Sequence, residues 1–181
     1  MAVDIRIATP DDIGALETLI ERSSRVLLVP FLSSAQLAAS LEVMTLDREL
    51  IADGTYFVAE EGGIAAGCGG WTRRRGFVTA QHGRDGDSEL LAPGREPARI
   101  RAMYTDPDRA RRGIGRLVLK TCENAARQAG FTEGELLATL AGEPLYLAAG
   151  WREAERTVVP TRAGIDVPAV RMVKQFLPRA E

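Results

Sequence analysis

The sequence predicts a mixed α/β fold. Segments with the two-residue period of a strand alternate with segments that have the 3.6-residue period of a helix, which excludes an all-α or all-β fold. Two pairs of strand-like segments lie close together in the chain, residues 56–60 with 64–72 and residues 156–160 with 167–176, and each predicts an antiparallel pair. A chain of 181 residues is expected to form one domain over residues 1–181.

The N-terminal segment predicts a strand followed by a helix. Apolar and polar side chains alternate over residues 3–8. Residues 9–12 then supply a threonine cap, a proline and two acids, which is typical of a helix start. Ile13, Leu16, Leu19 and Ile20 give the helix one apolar stripe. Residues 26–32 predict a loop because Pro30 interrupts them.

The next segment predicts two short helices before the first hairpin. Ser33 and Ser34 are caps for a second helix, and residues 47–52 form a third helical piece. The second strand of the hairpin contains three residues without a side chain, Gly67, Gly69 and Gly70. Either a neighbouring element packs closely on the glycines, or they leave room for a ligand.

The C-terminal half repeats the alternation. Residues 99–105 predict the fourth strand and residues 113–129 a helix that buries Ile114, Val118 and Cys122. Residues 134–139 predict the fifth strand, and Glu143-Pro144 begins a short helix.

Composition excludes several classes of protein. The chain is 45% apolar and 27% charged, as in an ordinary soluble domain, and its net charge of −2 argues against general nucleic-acid binding. Cys68 and Cys122 lie in apolar contexts, which predicts buried free thiols and neither a disulfide nor a metal site. There is no apolar run of membrane-spanning length and no signal-peptide pattern at the N-terminus, so we expect a cytoplasmic protein without a membrane partner.

Residues 73–97 are the irregular part of the chain. They are rich in glycine, proline and charge, and a structureless loop of this length is usually functional or disordered. We expect an insertion that forms a flap over one side of a binding cleft and that moves more than the sheet. It contains His82, the one histidine, which serves either as a base or substrate ligand or simply as a solvated side chain.

A glycine turn between the fourth strand and the following helix carries the most functional information. Residues 106–116 read Asp-Pro-Asp-Arg-Ala-Arg-Arg-Gly-Ile-Gly-Arg. Such a turn points backbone N–H groups at one anion, and Gly113 and Gly115 allow close approach. Five basic side chains surround it: Arg109, Arg111, Arg112, Arg116 and Lys120. Cations oppose the dipole at a helix start, so a phosphorylated ligand would explain them.

Two segments resemble the GNAT N-acetyltransferases. Arg111-Arg112-Gly113-Ile114-Gly115-Arg116 resembles the family's acetyl-CoA signature, with Ala110 where the family has glutamine or arginine. Residues 145–151, Leu-Tyr-Leu-Ala-Ala-Gly-Trp, resemble its Leu-Tyr-x-x-x-Gly-Phe segment. The resemblance, over roughly residues 5–176, implies a mixed, mostly antiparallel sheet of six or seven strands. Helices flank this sheet, and it is splayed between the fourth and fifth strands.

The resemblance also implies a cosubstrate and its contacts. Acetyl-CoA would place its pyrophosphate on the amides of residues 111–116 and its pantetheine arm along the fourth strand. There an N–H group near Met103, Tyr104 and Thr105 would polarise the thioester. Tyr146 would donate a proton to the leaving thiolate. The family's asparagine after the fifth strand has no counterpart among residues 139–141.

The general base is less well defined by the sequence. Glu135 lies near where some relatives place a catalytic glutamate, but a solvated glutamate at a strand edge fits equally well. Glu60, Glu143 and a chain of ordered water molecules are the alternatives.

Three functions remain open at this point. The first is acetyl transfer, in a ternary complex and without a metal, to a primary amine of a small molecule or of a protein N-terminus or lysine. The second is a non-catalytic CoA-binding sensor or regulatory module, and the third an unrelated nucleotide-binding regulator. The protein could be a monomer or a homodimer, and the acceptor amine is not identified.

Overall fold

A computed structural model describes residues 2–77 and 89–176, and in these residues seven strands form one sheet. The strands are β1 (Val3–Ile7), β2 (Tyr56–Glu61), β3 (Ile64–Thr72), β4 (Ala98–Thr105), β5 (Glu133–Thr139), β6 (Arg152–Val159) and β7 (Val167–Gln175). The helices are α1 (Ile13–Leu27), α2 (Ser34–Val43), α3 (Arg48–Ala52), α4 (Ile114–Gln128) and α5 (Glu143–Ala148).

The sheet is mixed and mostly antiparallel, as predicted. Its order is β1-β2-β3-β4-β5-β7-β6, and every neighbouring pair is antiparallel except β4 with β5. Those two parallel strands pair only at Ala98 with Gly134 and at Arg99 with Glu135. The pairing stops there although both strands continue, so the sheet splits between the fourth and fifth strands. The predicted splay is confirmed.

Helix α4 covers one face of the sheet. Its apolar stripe, including Ile114, Val118 and Cys122, is buried, as predicted. A Cβ atom on Gly67 would lie 2.6 Å from Cγ2 of Ile114, and one on Gly69 would lie 2.2 Å from Sδ of Met103. Close packing of α4 and β4 therefore explains Gly67 and Gly69, whereas a Cβ atom on Gly70 would lie 2.7 Å from the carbonyl oxygen of Thr55.

Helix α1 covers the opposite face. Leu16, Leu19 and Ile20 pack with Leu50 and Tyr56 in a second buried cluster. The helix extends to Leu27, so the start of the predicted loop is helical. The chain leaves the helix before Pro30, whose ring would clash with the preceding turn.

Two further elements test the predicted boundaries. Ser33 caps α2, because its hydroxyl accepts a hydrogen bond of 3.2 Å from the amide of Gln36. Strand β6 begins at Arg152 and not at residue 156. Its first residues are exposed and charged at the edge of the sheet, so they lack the apolar alternation that indicates a strand.

The ends of the predicted insertion are well ordered by backbone pairing. The amide of Arg75 donates a hydrogen bond of 2.9 Å to the carbonyl of Glu89. The amide of Leu91 donates one of 2.6 Å to the carbonyl of Arg73. Leu91 is also part of the buried core. Residues 78–88, which include His82, lie outside the described residues. Both ends of the segment therefore belong to the packed fold, although the sequence predicted an irregular loop over all of residues 73–97.

Candidate active site

A cavity of about 860 Å³ passes through the split in the sheet. Residues of β4 and β5 on both sides of the split line it, among them Ile100, Met103 and Ala138. From the α4 face, the turn before α4 and the start of α5 contribute to its wall. From the α1 face, the end of α1 and the segment between α2 and α3 complete it. One cavity therefore joins the two faces of the sheet.

Strand β4 is irregular where it borders the cavity. Its register with β3 shifts between Cys68 and Gly70, and Ala102 has a φ of 55°. The hydroxyl of Tyr56 donates a hydrogen bond of 2.8 Å to the carbonyl of Ala102. This geometry is a β-bulge fixed by a buried tyrosine, and bulges re-aim backbone groups beside binding sites.

The bulge determines which amides of β4 face the split. The amide of Asp106 donates to the carbonyl of Ala66 on β3 at 2.9 Å. Backbone groups alternate direction along an antiparallel ladder, so the amides of Thr105 and Met103 point away from β3, towards the split. The amide of Tyr104 points to β3, and Tyr104 contributes its side chain to the cavity wall.

The turn before α4 is shaped as an anion-binding concavity. Arg111 and Gly113 have φ values of 61° and 85°, and Gly113 is the N-cap of α4. The first helical hydrogen bond of α4 runs from Leu117 to Gly113 at 2.9 Å. The amides of residues 114–116 therefore lack a partner within the helix. Alternating left-handed residues at a helix start form a nest of N–H donors.

Four of the five basic residues around this turn divide into two groups, and the fifth, Lys120, is exposed on α4. Arg112 donates two hydrogen bonds to Glu61, at 2.6 and 3.1 Å, and Arg109 donates a third at 3.1 Å. These guanidinium groups anchor the turn to β2. Arg111 and Arg116 line the cavity, and neither forms an ion pair within the described part of the chain. Arg111 and Arg116 are thus the cations available to a ligand, whereas Arg112 offers only its amide.

Tyr146 lies on α5 with its ring against Trp151, at a centroid distance of 6.2 Å. It lines the cavity although only 6% of the residue is exposed. Burial raises the pKa of its phenol above the ordinary value, so the hydroxyl keeps its proton. A Cβ atom on Gly142 would lie 3.2 Å from the ring. This glycine gives the ring its space.

Glu135 lies at the closed end of the split and not in the cavity wall. One carboxylate oxygen accepts a hydrogen bond from Arg99, and the other accepts one from Arg171 at 2.5 Å. With both oxygens held by guanidinium groups, Glu135 is an ion-pair partner that joins β4, β5 and β7. Its position does not support the role of general base.

The other candidate bases are engaged as well. Glu60 accepts a hydrogen bond of 2.6 Å from Arg6, and Glu143 accepts one of 2.6 Å from Arg156. Neither lines the cavity. Thr139 and Ala141 do line it, at the place where the family's asparagine has no counterpart.

Asp47 lines the cavity from the α1 face, although the sequence did not point to it as a site residue. It is only 1% exposed, and its Oδ2 lies 2.6 Å from Nη2 of Arg101. Burial raises the pKa of Asp47, although the neighbouring guanidinium opposes that rise. In the sequence Asp47 precedes a short helix and belongs to no motif, so only the fold reveals its place.

The comparison with known families decides the classification. The profile of the family described as acetyltransferase (GNAT) domain matches residues 52–153, more than half of the chain. The chain belongs to the GNAT acetyltransferases. It is therefore an acyltransferase, and the resemblance seen in its two motifs is confirmed.

Solved structures share the fold at low sequence identity. A GCN5-related N-acetyltransferase of Rhodopseudomonas palustris has a TM-score of 0.72 and 17% identity, with 97% of each chain covered. The protein yncA of Salmonella typhimurium, solved with acetyl-CoA, has a TM-score of 0.64 and 18% identity, with 100% of this chain and 98% of that chain covered. The PaiA N-acetyltransferase of Thermoplasma acidophilum, solved with coenzyme A, has a TM-score of 0.62 and 14% identity, with 97% and 100% covered. No protein of curated function matches the chain.

Within residues 2–77 and 89–176, no group of three or more histidine, cysteine, aspartate or glutamate side chains is placed to hold a metal ion. Over the same residues, none of the helices combines the length and the apolar character needed to cross a membrane.

Proposed function

We propose that the chain transfers the acetyl group of acetyl-CoA directly to a primary amine, with both substrates bound in one cavity. The observation that carries this proposal is the continuous cavity through the split sheet. It connects the nest of amides before α4 with a pocket on the α1 face. A shared cavity lets the amine meet the thioester without a covalent enzyme intermediate, because proximity supplies much of the acceleration.

The cosubstrate would enter from the α4 face. Its pyrophosphate would bind the amides of residues 111–116, with Arg111 and Arg116 beside it. Its pantetheine arm would lie along the open edge of β4, where the amides of Met103 and Thr105 face the split. One of these N–H groups would polarise the thioester carbonyl. The coenzyme A and acetyl-CoA in the PaiA and yncA structures support this cosubstrate.

The chemistry then needs three proton transfers, because the nitrogen loses one proton before it attacks and a second as the amide forms, and the sulfur gains one. The amine must lose a proton before its nitrogen can attack the carbonyl carbon. As the C–N bond forms, the C–S bond breaks and its electron pair goes to sulfur. Tyr146 gives the sulfur a proton, and solvent restores the phenol. The place of Tyr146 in the cavity wall and the raised pKa of its phenol support this role.

The test is a panel of primary amines with acetyl-CoA, read as release of free thiol. The panel includes peptides with a free N-terminus, because a ribosomal-protein-S18-alanine N-acetyltransferase of Escherichia coli shares the fold. We expect thiol release that depends on both the amine and the enzyme, together with an acetylated product. If CoA raises the melting temperature but no amine releases thiol, the chain is a CoA-binding sensor and the proposal is wrong.

A further inference from the structure

The α1 side of the cavity contains buried polar atoms without partners. Within residues 2–77 and 89–176, Oγ of Ser24 and Oγ1 of Thr45 make no hydrogen bond. The carboxylate of Asp47 lies beside them and contacts the guanidinium of Arg101. Ser24 and Asp47 are 2% and 1% exposed. Ser24, Thr45 and Asp47 all line the same cavity.

Such groups are rare because leaving a polar atom buried without a partner costs free energy. Ser24 comes from α1, whereas Thr45 and Asp47 come from the segment between α2 and α3. Two separate elements thus bring the free hydroxyls of Ser24 and Thr45 to the same wall of the cavity as the Asp47 carboxylate. A ligand that carries N–H groups would give these oxygens partners.

The rest of this wall is apolar. It is formed by the end of α1, the segment after it, the base of the insertion and β7. Leu27, Phe31, Met44, Phe77 and Val167 are among its residues. At its mouth Val26 and Phe31 are half exposed, so apolar surface continues out to the solvent. This surface fits the body of a hydrophobic ligand.

We propose that the acceptor is a primary monoamine on a compact apolar body and that Asp47 receives its amino group. This inference rests on the acetyl transfer proposed above. Among the described residues that line the cavity, Asp47 is the one acid, so the wall matches one ammonium group. The hydroxyls of Ser24 and Thr45 accept the remaining N–H bonds. A polyamine finds no second carboxylate there. An acidic amine finds Arg101 already paired with Asp47 and close to Glu49.

The side chains around Asp47 allow its carboxylate to accept a proton from the amine. The ammonium gives one proton to the Asp47 carboxylate, and the neutral nitrogen attacks the thioester carbon. The second proton leaves the new amide to solvent, while the sulfur takes its proton from Tyr146. When Asp47 is neutral, Arg101 keeps an acidic neighbour, because Glu49 lies 3.7 Å from Nη2 of Arg101. Burial raises the pKa of Asp47, which favours its role as a proton acceptor.

The first test compares acceptors on the unmodified protein. Phenethylamine and isoamylamine represent apolar monoamines, spermidine a polyamine, and glutamate an acidic amine. We expect kcat/KM for the apolar monoamines to exceed the values for spermidine and glutamate by at least about tenfold, the cost of one mismatched group. Preference for spermidine or glutamate would overturn this inference but leave acetyl transfer intact. Failure of every amine would overturn the proposed function itself.

The second test removes each hydroxyl with little change in side-chain volume. The variants are Ser24→Ala and Thr45→Val. Since neither hydroxyl has a partner in the described part of the chain, we expect the melting temperature to stay the same or rise. We expect KM for the amine to rise about 3- to 10-fold per hydroxyl, the value of one hydrogen bond, with CoA affinity unchanged. A lower melting temperature with an unchanged KM would show that the hydroxyls support the fold and not the ligand.

The third test is Asp47→Asn, with Glu123→Gln as the matched control. Glu123 binds Lys174 and Trp151 and lies outside the cavity wall. We expect Asp47→Asn to lower kcat/KM about 100-fold or more at pH 7. This deficit should shrink as the pH approaches the pKa of the amine, about 10. An equal loss in the control, or a deficit independent of pH, contradicts the inference. If Asp47→Asn does not bind CoA as a folded protein does, the hydroxyl variants decide.

Discussion

Replacing Tyr146 by phenylalanine separates the packing of the ring from the chemistry of its hydroxyl. The edge contact with Trp151 and the fit against Gly142 remain, so the fold should survive with little loss of stability. General acid assistance is worth about 100- to 10,000-fold, so we expect kcat to fall by about one to three decades. The dissociation constant of CoA should stay nearly unchanged.

Steady-state kinetics and CoA titration check this expectation together. A change confined to CoA affinity would mean that the hydroxyl only positions the cosubstrate. If both quantities stay the same, Tyr146 is a packing residue and water protonates the thiolate.

Asp12 contributes stability in a pH window that the structure defines. The guanidinium of Arg6, followed by the amide of Thr9, lowers the pKa of Asp12 from 3.8 to about 2. The contribution is therefore present above pH 4 and is lost as the pH falls to 2. Because Arg6 is partly exposed, we expect Asp12→Asn to cost about 1–2 kcal/mol at pH 7.

Urea unfolding at pH 7 and pH 2.5 measures the difference. Asp11→Asn is the control, since Asp11 is exposed in the same turn. The prediction is wrong if the cost of Asp12→Asn is the same at both pH values or if Asp11→Asn has the same effect.

The role of some site residues can be predicted from the sequence, and the role of others cannot. Gly113, Gly115 and Tyr146 stand in motifs whose local spacing indicates a turn and a helix. Glu135 and Asp47 have no such spacing, because their partners come from distant parts of the chain. Glu135 binds Arg99 and Arg171, each 36 residues away, so an interaction created by the fold sets its role.

At the level of elements, the start of α4 is the place to test cosubstrate binding. A Cβ atom on Gly115 would lie 3.1 Å from Leu145 and 3.3 Å from Thr105. We expect Gly115→Leu to block the approach of the pyrophosphate and abolish the rise in melting temperature with CoA. Gly14→Leu on α1 is the control, since a Cβ atom there meets nothing within 4 Å. A correctly folded Gly115→Leu variant that CoA still stabilises would exclude this site.

Glu135 ties the two parts of the split sheet together at the closed end. Its carboxylate bridges Arg99 of β4 and Arg171 of β7, and Arg99 is itself buried. Removing one partner of a buried ion pair costs about 3–5 kcal/mol. We expect Glu135→Gln to lower the free energy of unfolding by about this amount, while kcat of the remaining folded enzyme changes less than threefold. A large fall in kcat with unchanged stability would restore Glu135 as the base.

The sequence predicted a helix or a strand correctly where one face of that element is buried. The apolar stripes of α1 and α4 predicted both helices, and the closeness of β2 and β3 in the chain predicted their hairpin. The start of β6 was hidden because an edge strand with exposed charges shows no alternation. The pairing at the ends of the insertion depends on backbone hydrogen bonds, which leave no pattern in side chains.

For the whole molecule, the insertion is the part whose removal should change the acceptor alone. The carbonyl of Gly76 accepts a hydrogen bond of 2.9 Å from Arg101, and Phe77 lines the α1 side of the cavity. We expect replacement of residues 78–88 by a four-residue glycine-serine linker to change amine selectivity and spare CoA binding. The exchange keeps Leu91 in the core. If CoA binding is lost and selectivity is kept, the segment belongs to the other face.

Because of the split in the sheet, the stability of the folded protein also depends on its cosubstrate. Without a ligand, the amides of Met103 and Thr105 form an unpaired edge inside the sheet. A pantetheine arm that pairs with this edge protects it, and at 100 times its dissociation constant adds about 2.7 kcal/mol. Hydrogen exchange at these amides should therefore slow with CoA more than exchange on β1, and resistance to proteolysis should increase with it. The supply of acetyl-CoA would then govern how long each copy of the protein lasts as well as how fast it works.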